Sequence, residues 1–373
     1  MDAGSFDWIG REEAMTISLR RIFESFGYKR ARIDAFEDYD LFRENRSFLR
    51  EGGVLAFNDA GGRLMALRPD VTLSVAKGAV ASERETEKLY YLEDVYRTNE
   101  LTRSYHRISQ LGLECFGRGD AFLVREVLLL AALSLREIGG TNLMTLSHAG
   151  FVIQFMEGLG VPAAAKRELA DCIRKKSPHG LRAAASRYAI GAASARALSA
   201  IAELYGEPSR VLDRARRLAA SRRMEGALAE VEALCAFLGE VGFGENLRLD
   251  FSLMNDADYY SGILFQGFVE GSPRAVLTGG DYSGLMRRLG GDFDAVGFAI
   301  ALNELRLPAP PKLDADALVL YGDAGDFARA VRSAEGLRAQ GLRVRFERAM
   351  PEGFTCERAY RFEGGELKEA IPC

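Results

Sequence analysis

Strand patterns lie on both sides of a long helical segment of this 373-residue chain, and this separation constrains the fold more than any other feature. Residues 1–150 contain short strand-like runs, often joined by hairpin-like turns, which favours an antiparallel sheet flanked by helices. Ala, Leu, Arg and Glu dominate residues 151–244, as is typical of helices, and strand character returns at Leu247. We therefore predict one α+β core, formed by residues 1–150 and 245–307, with a helical insertion between its two parts.

A proline-rich stretch at 308–311 predicts a stiff linker to a small last domain. Beyond it, strand patterns at Ala317–Tyr321 and Leu342–Phe346 flank a helical pattern at Asp326–Gln340. We therefore expect residues 312–373 to form a small C-terminal α/β domain with a β-α-β unit.

Charge and cysteine content argue against several classes of protein. The formal net charge of −4 speaks against a large non-specific nucleic-acid surface. The five cysteines are far apart and there are only three histidines, so no metal site is expected. The first residues lack the pattern of an export signal, and the most apolar run, Ala121–Leu135, is interrupted by Arg125 and Glu126. We expect a cytoplasmic protein without a membrane span.

The stretch Leu247–Gln266 predicts a strand pair that could form the wall of a pocket. Apolar and polar residues alternate from 247 to 253, as in a strand buried on one face. Polar residues interrupt the pattern at 255–258, and Tyr259 with Tyr260 then opens a second strand. The paired tyrosines are suited to frame a planar ring.

Polar residues elsewhere could complete this pocket. Gln110, Gly112 and Glu114 share one strand parity, so the two polar side chains flank a glycine gap that can admit a small ligand. Asp70 and Glu114 are suited to hold an ammonium group, and Tyr282 is a further candidate to frame a ring. Each residue taken alone is more often a satisfied polar group at a sheet edge. Only their combination favours a binding site.

Other patterns have structural interpretations. The run Val296–Leu305 predicts a helix that closes the core, and the glycines at 279–280 and 290–291 match no phosphate-binding motif and predict turns. Arginines cluster beside the loop Thr98–Ser104 and on one helical face, where solvated surface is the expected role. These arginines are Arg97, Arg103 and Arg107 near the loop, and Arg214, Arg216, Arg217, Arg222 and Arg223 on the helix.

Segments in the two core parts resemble the catalytic core of histidyl-tRNA synthetases. They are MALRPDVT at Met65–Thr72, YRTNELTRSYHRISQLGLECFG at Tyr96–Gly117, NDADYYSG at Asn255–Gly262, and GGDYSGL with VGFAIAL between Gly279 and Leu302. The resemblance covers about residues 8–150 and 247–306 and implies a class II aminoacyl-tRNA synthetase fold with a histidine pocket. Carried over by position, the pocket would consist of Asp70, Thr72, Arg97, Gln110, Glu114, Tyr259, Tyr260 and Tyr282.

Several positions depart from the synthetase pattern. Asn255 stands where the family has an arginine that helps to activate histidine, and Glu304 stands where it has the arginine that holds ATP. Because a carboxylate repels a triphosphate and an amide carries no charge, the comparison implies that adenylate chemistry is lost. Asp34 replaces the proline of the family's dimer motif. The predicted last domain is shorter than the family's anticodon-binding domain, which weakens any tRNA role.

A synthetase-like core without these arginines resembles the family of ATP phosphoribosyltransferase regulatory subunits. That resemblance implies a chain with no catalysis or cofactor of its own, which associates as a dimer within a hetero-oligomer with a short-form catalytic subunit. It also implies that the catalytic subunit needs this chain for activity at the first step of histidine biosynthesis, and that bound histidine gives feedback. Two other interpretations stay open. They are a divergent paralogue that activates histidine and a regulator that binds tRNA or other RNA.

Overall fold

A computed structural model describes residues 11–46, 53–82, 86–98, 104–117, 121–254, 262–305 and 313–370. The chain divides into two compact units, of which the larger is Ser18–Arg306 and the smaller is Leu307–Cys373 together with Met1–Ile17. Within the described ranges, no helix combines the length and the apolar character needed to cross a membrane.

The first described elements are an amphipathic helix and a small sheet. Leu19 and Phe23 are fully buried in the first helix, and Gly27 follows it at φ +84°, a left-handed conformation that suits glycine. The hairpin predicted around 58–62 is present as two antiparallel strands, β3 and β4. These elements are α1 (Arg11–Ser25), β1 (Lys29–Arg30), β2 (Phe36–Asp38), α2 (Tyr39–Glu44), β3 (Ala56–Asn58), β4 (Leu64–Leu67) and α3 (Thr72–Ser82).

A long hairpin follows, and then a chain segment that is almost entirely helical. β5 and β6 pair antiparallel along their whole length, as predicted. The predicted helical character of residues 151–244 is confirmed, with one two-residue strand, β8, as the exception. The elements are β5 (Glu87–Thr98), β6 (Tyr105–Gly117), α4 (Ala121–Ile138), β7 (Asn142–His148), α5 (Ala149–Gly158), α6 (Ala163–Arg174), α7 (Pro178–Arg187), α8 (Ala192–Ala202), β8 (Tyr205–Gly206), α9 (Pro208–Arg216) and α10 (Arg222–Glu240).

Strands return at β9 (Leu247–Asp250), as predicted, and the segment that follows corrects two expectations. The glycines at 279–280 lie inside a strand, so the prediction of a turn there is wrong. The predicted closing helix is also wrong, because the run from Val296 continues a strand that ends in one 3-10 turn, Leu302–Glu304. The elements are β10 (Ile263–Val269), β11 (Leu277–Asp281), α11 (Ser283–Arg288) and β12 (Asp294–Ala301).

Nine strands of the larger unit form one sheet in the order β1-β5-β6-β12-β11-β10-β7-β9-β8. All neighbours are antiparallel except β1 with β5 and β7 with β9. The prediction of a mainly antiparallel sheet flanked by helices is therefore confirmed. β12 lies inside the sheet, between β6 and β11. A strand buried on both faces has a continuous apolar sequence that is easily taken for a helix. β2, β4 and β3 form a separate sheet.

The smaller unit contains the predicted β-α-β unit and two more strands. β13 pairs parallel with β14, and the predicted single helix is two short helices that meet at Ala334. The sequence reading missed a hairpin, β15 with β16, which turns at Gly364 and Gly365, both at positive φ. The elements are β13 (Ala317–Leu320), α12 (Phe327–Ser333), α13 (Glu335–Ala339), β14 (Val344–Glu347), β15 (Arg358–Glu363) and β16 (Glu366–Ala370).

Candidate functional site

A cavity of about 30 Å³ lies on one face of the central strands of the large sheet. The cross-strand register explains which side chains meet there. Tyr91, Gly112, Ala299 and Thr278 form one row across β5, β6, β12 and β11, and all of them contribute to this face. Residues two positions further along each strand project to the same side. The predicted parity of Gln110 and Glu114 therefore places both side chains at the cavity, as observed.

Glu114 is a buried acidic group in the wall of this cavity. The Thr72 hydroxyl donates a hydrogen bond of 2.7 Å to its Oε1, and the Tyr282 hydroxyl donates one of 2.5 Å to its Oε2. Burial is the main cause that raises the pKa of Glu114 to about 8; the two hydroxyl groups lower this pKa, and the charge of Asp70 adds a smaller upward contribution. Glu114 can therefore change its protonation state near neutral pH.

Two glycines make room for side chains of the cavity itself. A Cβ atom at Gly297 would lie 1.9 Å from Oε2 of Glu114, so glycine is needed beside that carboxylate. A Cβ atom at Gly112 would lie 2.4 Å from the ring and hydroxyl of Tyr91. The glycine gap that the sequence predicts is therefore present, but Tyr91 fills it. This corrects the expectation that the gap itself would admit a ligand.

Asp70 and Arg97 form a second polar group at the cavity. Oδ1 of Asp70 accepts a hydrogen bond of 3.1 Å from the backbone N–H of Leu73, which fixes the carboxylate at the start of α3. Its Oδ2 lies 3.8 Å from the guanidinium group of Arg97, and Arg97 Nε donates a bond of 2.9 Å to the carbonyl of Pro69. The carboxylate of Asp70 is thus held in place, and its Oδ2 faces the guanidinium group of Arg97.

The structure brings six of the eight predicted pocket residues to this one cavity. The other two, Tyr259 and Tyr260, lie outside the described residues, as does Asn255, where the family has an arginine. Glu304 does not line the cavity, and its carboxylate lies 3.8 Å from the guanidinium group of Arg274. The six residues that come together are Asp70, Thr72, Arg97, Gln110, Glu114 and Tyr282.

Sequence reasoning missed two polar residues of the cavity, Tyr91 and Thr278. Tyr91 and Arg97 lie an even number of residues apart on β5, so their side chains project to the same face. The strand pattern of the predicted hairpin could therefore have indicated that Tyr91 lies near the pocket. Thr278 lies on β11, which was interpreted as a turn, and its place beside β12 follows only from strand pairing.

Comparisons with known proteins identify the family to which the chain is similar. A family model described as histidyl-tRNA synthetase matches residues 8–305. The ATP phosphoribosyltransferase regulatory subunit of Moorella thermoacetica is 29% identical over 354 residues, which are 92% of this chain and 91% of that protein. The regulatory subunit of the same name from Anaeromyxobacter dehalogenans is 31% identical over 295 residues, which are 77% of this chain and 84% of that protein.

Solved structures share the fold. An ATP phosphoribosyltransferase regulatory subunit/histidyl-tRNA synthetase from Bacillus halodurans has a TM-score of 0.79 at 21% identity, over 90% of this chain and 88% of that one. A chain of an ATP phosphoribosyltransferase complex from Thermotoga maritima has a TM-score of 0.62 at 20% identity, over 78% and 97%. The fold is thus that of a class II, histidyl-tRNA synthetase-like protein, as predicted. The chain belongs to the histidyl-tRNA synthetase family, and within it to the ATP phosphoribosyltransferase regulatory subunits.

Proposed function

We propose that this chain is the regulatory subunit of a short-form ATP phosphoribosyltransferase and acts at the first step of histidine biosynthesis. The observation that carries the proposal is the similarity, over most of the chain, to proteins named as such regulatory subunits. The Thermotoga maritima neighbour belongs to a complex of this transferase, which supports a catalytic subunit as the partner. We further propose that the chain forms a dimer within the hetero-oligomer and that the catalytic subunit depends on it for activity.

We infer that free histidine is the ligand of the cavity. Both observed donors to Glu114 are neutral hydroxyl groups, so the positive charge of an ammonium or imidazolium group would stabilise its ionised form. The carboxylate of Asp70 and the amide of Gln110 offer further hydrogen bonds. A volume of about 30 Å³ has room for one polar end of an amino acid.

We propose that the chain does not activate histidine itself. The family's ATP-binding arginine is replaced by Glu304, whose carboxylate adds negative charge where a triphosphate would need a cation. Asn255, at the position of the family arginine that helps to activate histidine, carries no charge. The competing function is that of a histidine-activating synthetase paralogue. Histidine-dependent exchange of pyrophosphate into ATP by the purified chain would identify that activity.

The test of the regulatory role combines this chain with a short-form catalytic subunit and measures phosphoribosyl transfer with and without histidine. We expect activation by the chain and inhibition by histidine. Gln110→Ala should keep the activation and require about fivefold more histidine for inhibition, since one neutral hydrogen bond is lost. Gln154→Ala, on α5 and away from the cavity, is the matched control.

The two parts of the proposal fail in different ways. A verified complex without activation would contradict the regulatory role. Activation together with unchanged histidine inhibition in Gln110→Ala would contradict the ligand site alone.

A further inference from the structure

Thr278 is a polar residue of the cavity, and its side-chain hydroxyl is the feature of interest. Its side chain lines the cavity and belongs to the row of Tyr91, Gly112 and Ala299. In the part of the chain that the structure describes, no side-chain hydrogen bond is formed by its hydroxyl. The neighbouring hydroxyl of Thr72, in contrast, is bonded to Glu114 at 2.7 Å. The Thr278 hydroxyl can therefore hydrogen-bond a group in the cavity, whereas the Thr72 hydroxyl is already bonded to Glu114.

The position of Thr278 is opposite the acidic wall. Glu114 and Gln110 project from β6, and β12 separates β6 from β11. β12 lines the cavity with Gly297, Phe298 and Ala299. The Glu114 carboxylate lies over Gly297, and the small side chain of Ala299 leaves space beside Thr278. Neighbouring strands are about 4.8 Å apart, so Thr278 stands roughly 10 Å across the sheet from β6. A ligand group placed in this space would lie between a carboxyl group and a hydroxyl group.

We propose that the Thr278 hydroxyl hydrogen-bonds the bound ligand from the wall opposite Glu114 and helps to determine which ligands the site accepts. This inference rests on the proposed histidine site and adds to it a residue that the family resemblance did not supply. A hydroxyl group donates one hydrogen bond and accepts others, so it suits a polar group of the amino acid in either role. A ligand with an apolar group at this place would leave the hydroxyl unsatisfied, which lowers its affinity.

The test measures histidine binding to the full chain by calorimetry. Thr278→Val keeps the shape of the side chain and removes the hydroxyl, and we expect binding about fivefold weaker, as for the loss of one neutral hydrogen bond. Thr278→Ser keeps the hydroxyl and should stay within about twofold of the unaltered chain. Thr145→Val is the matched control, because Thr145 lies in the same cross-strand row on β7 but outside the cavity.

Each outcome bears on the inference. Equal binding by Thr278→Val and the unaltered chain would overturn the role of Thr278 and leave the histidine site intact. Weak binding by Thr278→Ser would also overturn it, because shape rather than the hydroxyl would then be decisive. If Thr278→Val does not fold, Thr278→Ala takes its place in the comparison with Thr278→Ser. No binding by the unaltered chain would overturn the proposed site and this inference together.

Discussion

Two polar clusters on neighbouring parts of the large sheet differ in how completely their hydrogen bonds are satisfied. Arg68 is buried, and its guanidinium group donates to the carbonyls of Ile33, Asp34 and Asp94 and to the carboxylate of Glu93. Glu114 is equally buried, but its observed donors are two neutral hydroxyl groups. The first cluster is a closed network that holds the strands. In the second, no cation donates to the Glu114 carboxylate among the described residues, which is the difference expected between a structural ion pair and the proposed binding site.

The largest effect should come from opening the closed network. Arg68→Met removes the cation and its hydrogen bonds to Glu93 Oε2 and to three backbone carbonyls. Removing one partner of a buried ion pair costs about 3–5 kcal/mol of the free energy of unfolding, which urea denaturation would measure. Arg63→Met is the control, because the Arg63 side chain is 73% exposed and pairs with Asp59 at the surface. A loss below about 1 kcal/mol at Arg68 would contradict its anchoring role.

A smaller, pH-dependent effect is expected at Glu114. Its folded-state pKa of about 8 is above the ordinary value of 4.5, so folding favours the protonated form. The stability that this group contributes is complete below about pH 4.5 and is lost as the pH rises through 8. Glu114→Gln removes the titration, and at pH 9 we expect it to be more stable than the unaltered chain by about 2–4 kcal/mol.

The measurement for Glu114 is a series of urea denaturation curves from pH 5 to pH 9. The difference between Glu114→Gln and the unaltered chain should grow with pH up to about pH 8 and level off above it. Glu225→Gln, an exposed substitution in α10, should follow the unaltered chain at every pH. A difference independent of pH would show that Glu114 does not titrate in this range.

The smallest effect concerns the space that Tyr91 occupies. Gly112→Ala places a methyl group within 2.4 Å of the Tyr91 ring and 2.8 Å of the Phe298 carbonyl, so the ring must move. We expect a loss of about 1–3 kcal/mol in the free energy of unfolding, and weaker histidine binding if the ring enters the cavity. Gly78→Ala in α3 meets no atom within 4 Å and should instead stabilise the helix by up to about 1 kcal/mol. Equal stability of both variants would contradict the close packing at Gly112.

The sequence predicts elements whose pattern is local. The hairpin of β5 and β6 and the helices of 151–244 follow from alternation and from composition, and all are present. The failures occur where the environment decides the structure. β12 is buried on both faces and lacks alternation, and β15 carries charged residues at both ends, so neither has the pattern of a half-buried strand.

The residues of the site divide in the same way, into those that a local pattern predicts and those that depend on strand pairing. The parity of Gln110 and Glu114 within one strand is a local property, and it predicts their common face correctly. The packing of Tyr91 over Gly112 joins two strands, and the place of Thr278 depends on which strand neighbours β12. Such pairings require a sheet order that no short stretch of sequence contains.

The position of β12 inside the sheet has a consequence for how the protein is made. β12 lies between β6 and β11, although nearly half of the chain separates Glu114 from its neighbour Gly297. Pairing over so long a sequence distance is slow, because loop closure must come before the contacts that reward it. During synthesis the ribosome must complete the helical segment 151–244 before it makes β12, the strand that forms the floor of the cavity. A nascent or truncated chain that ends before β12 contains the β5–β6 hairpin and the helices of residues 151–244, but it lacks the strand that forms the floor of the site.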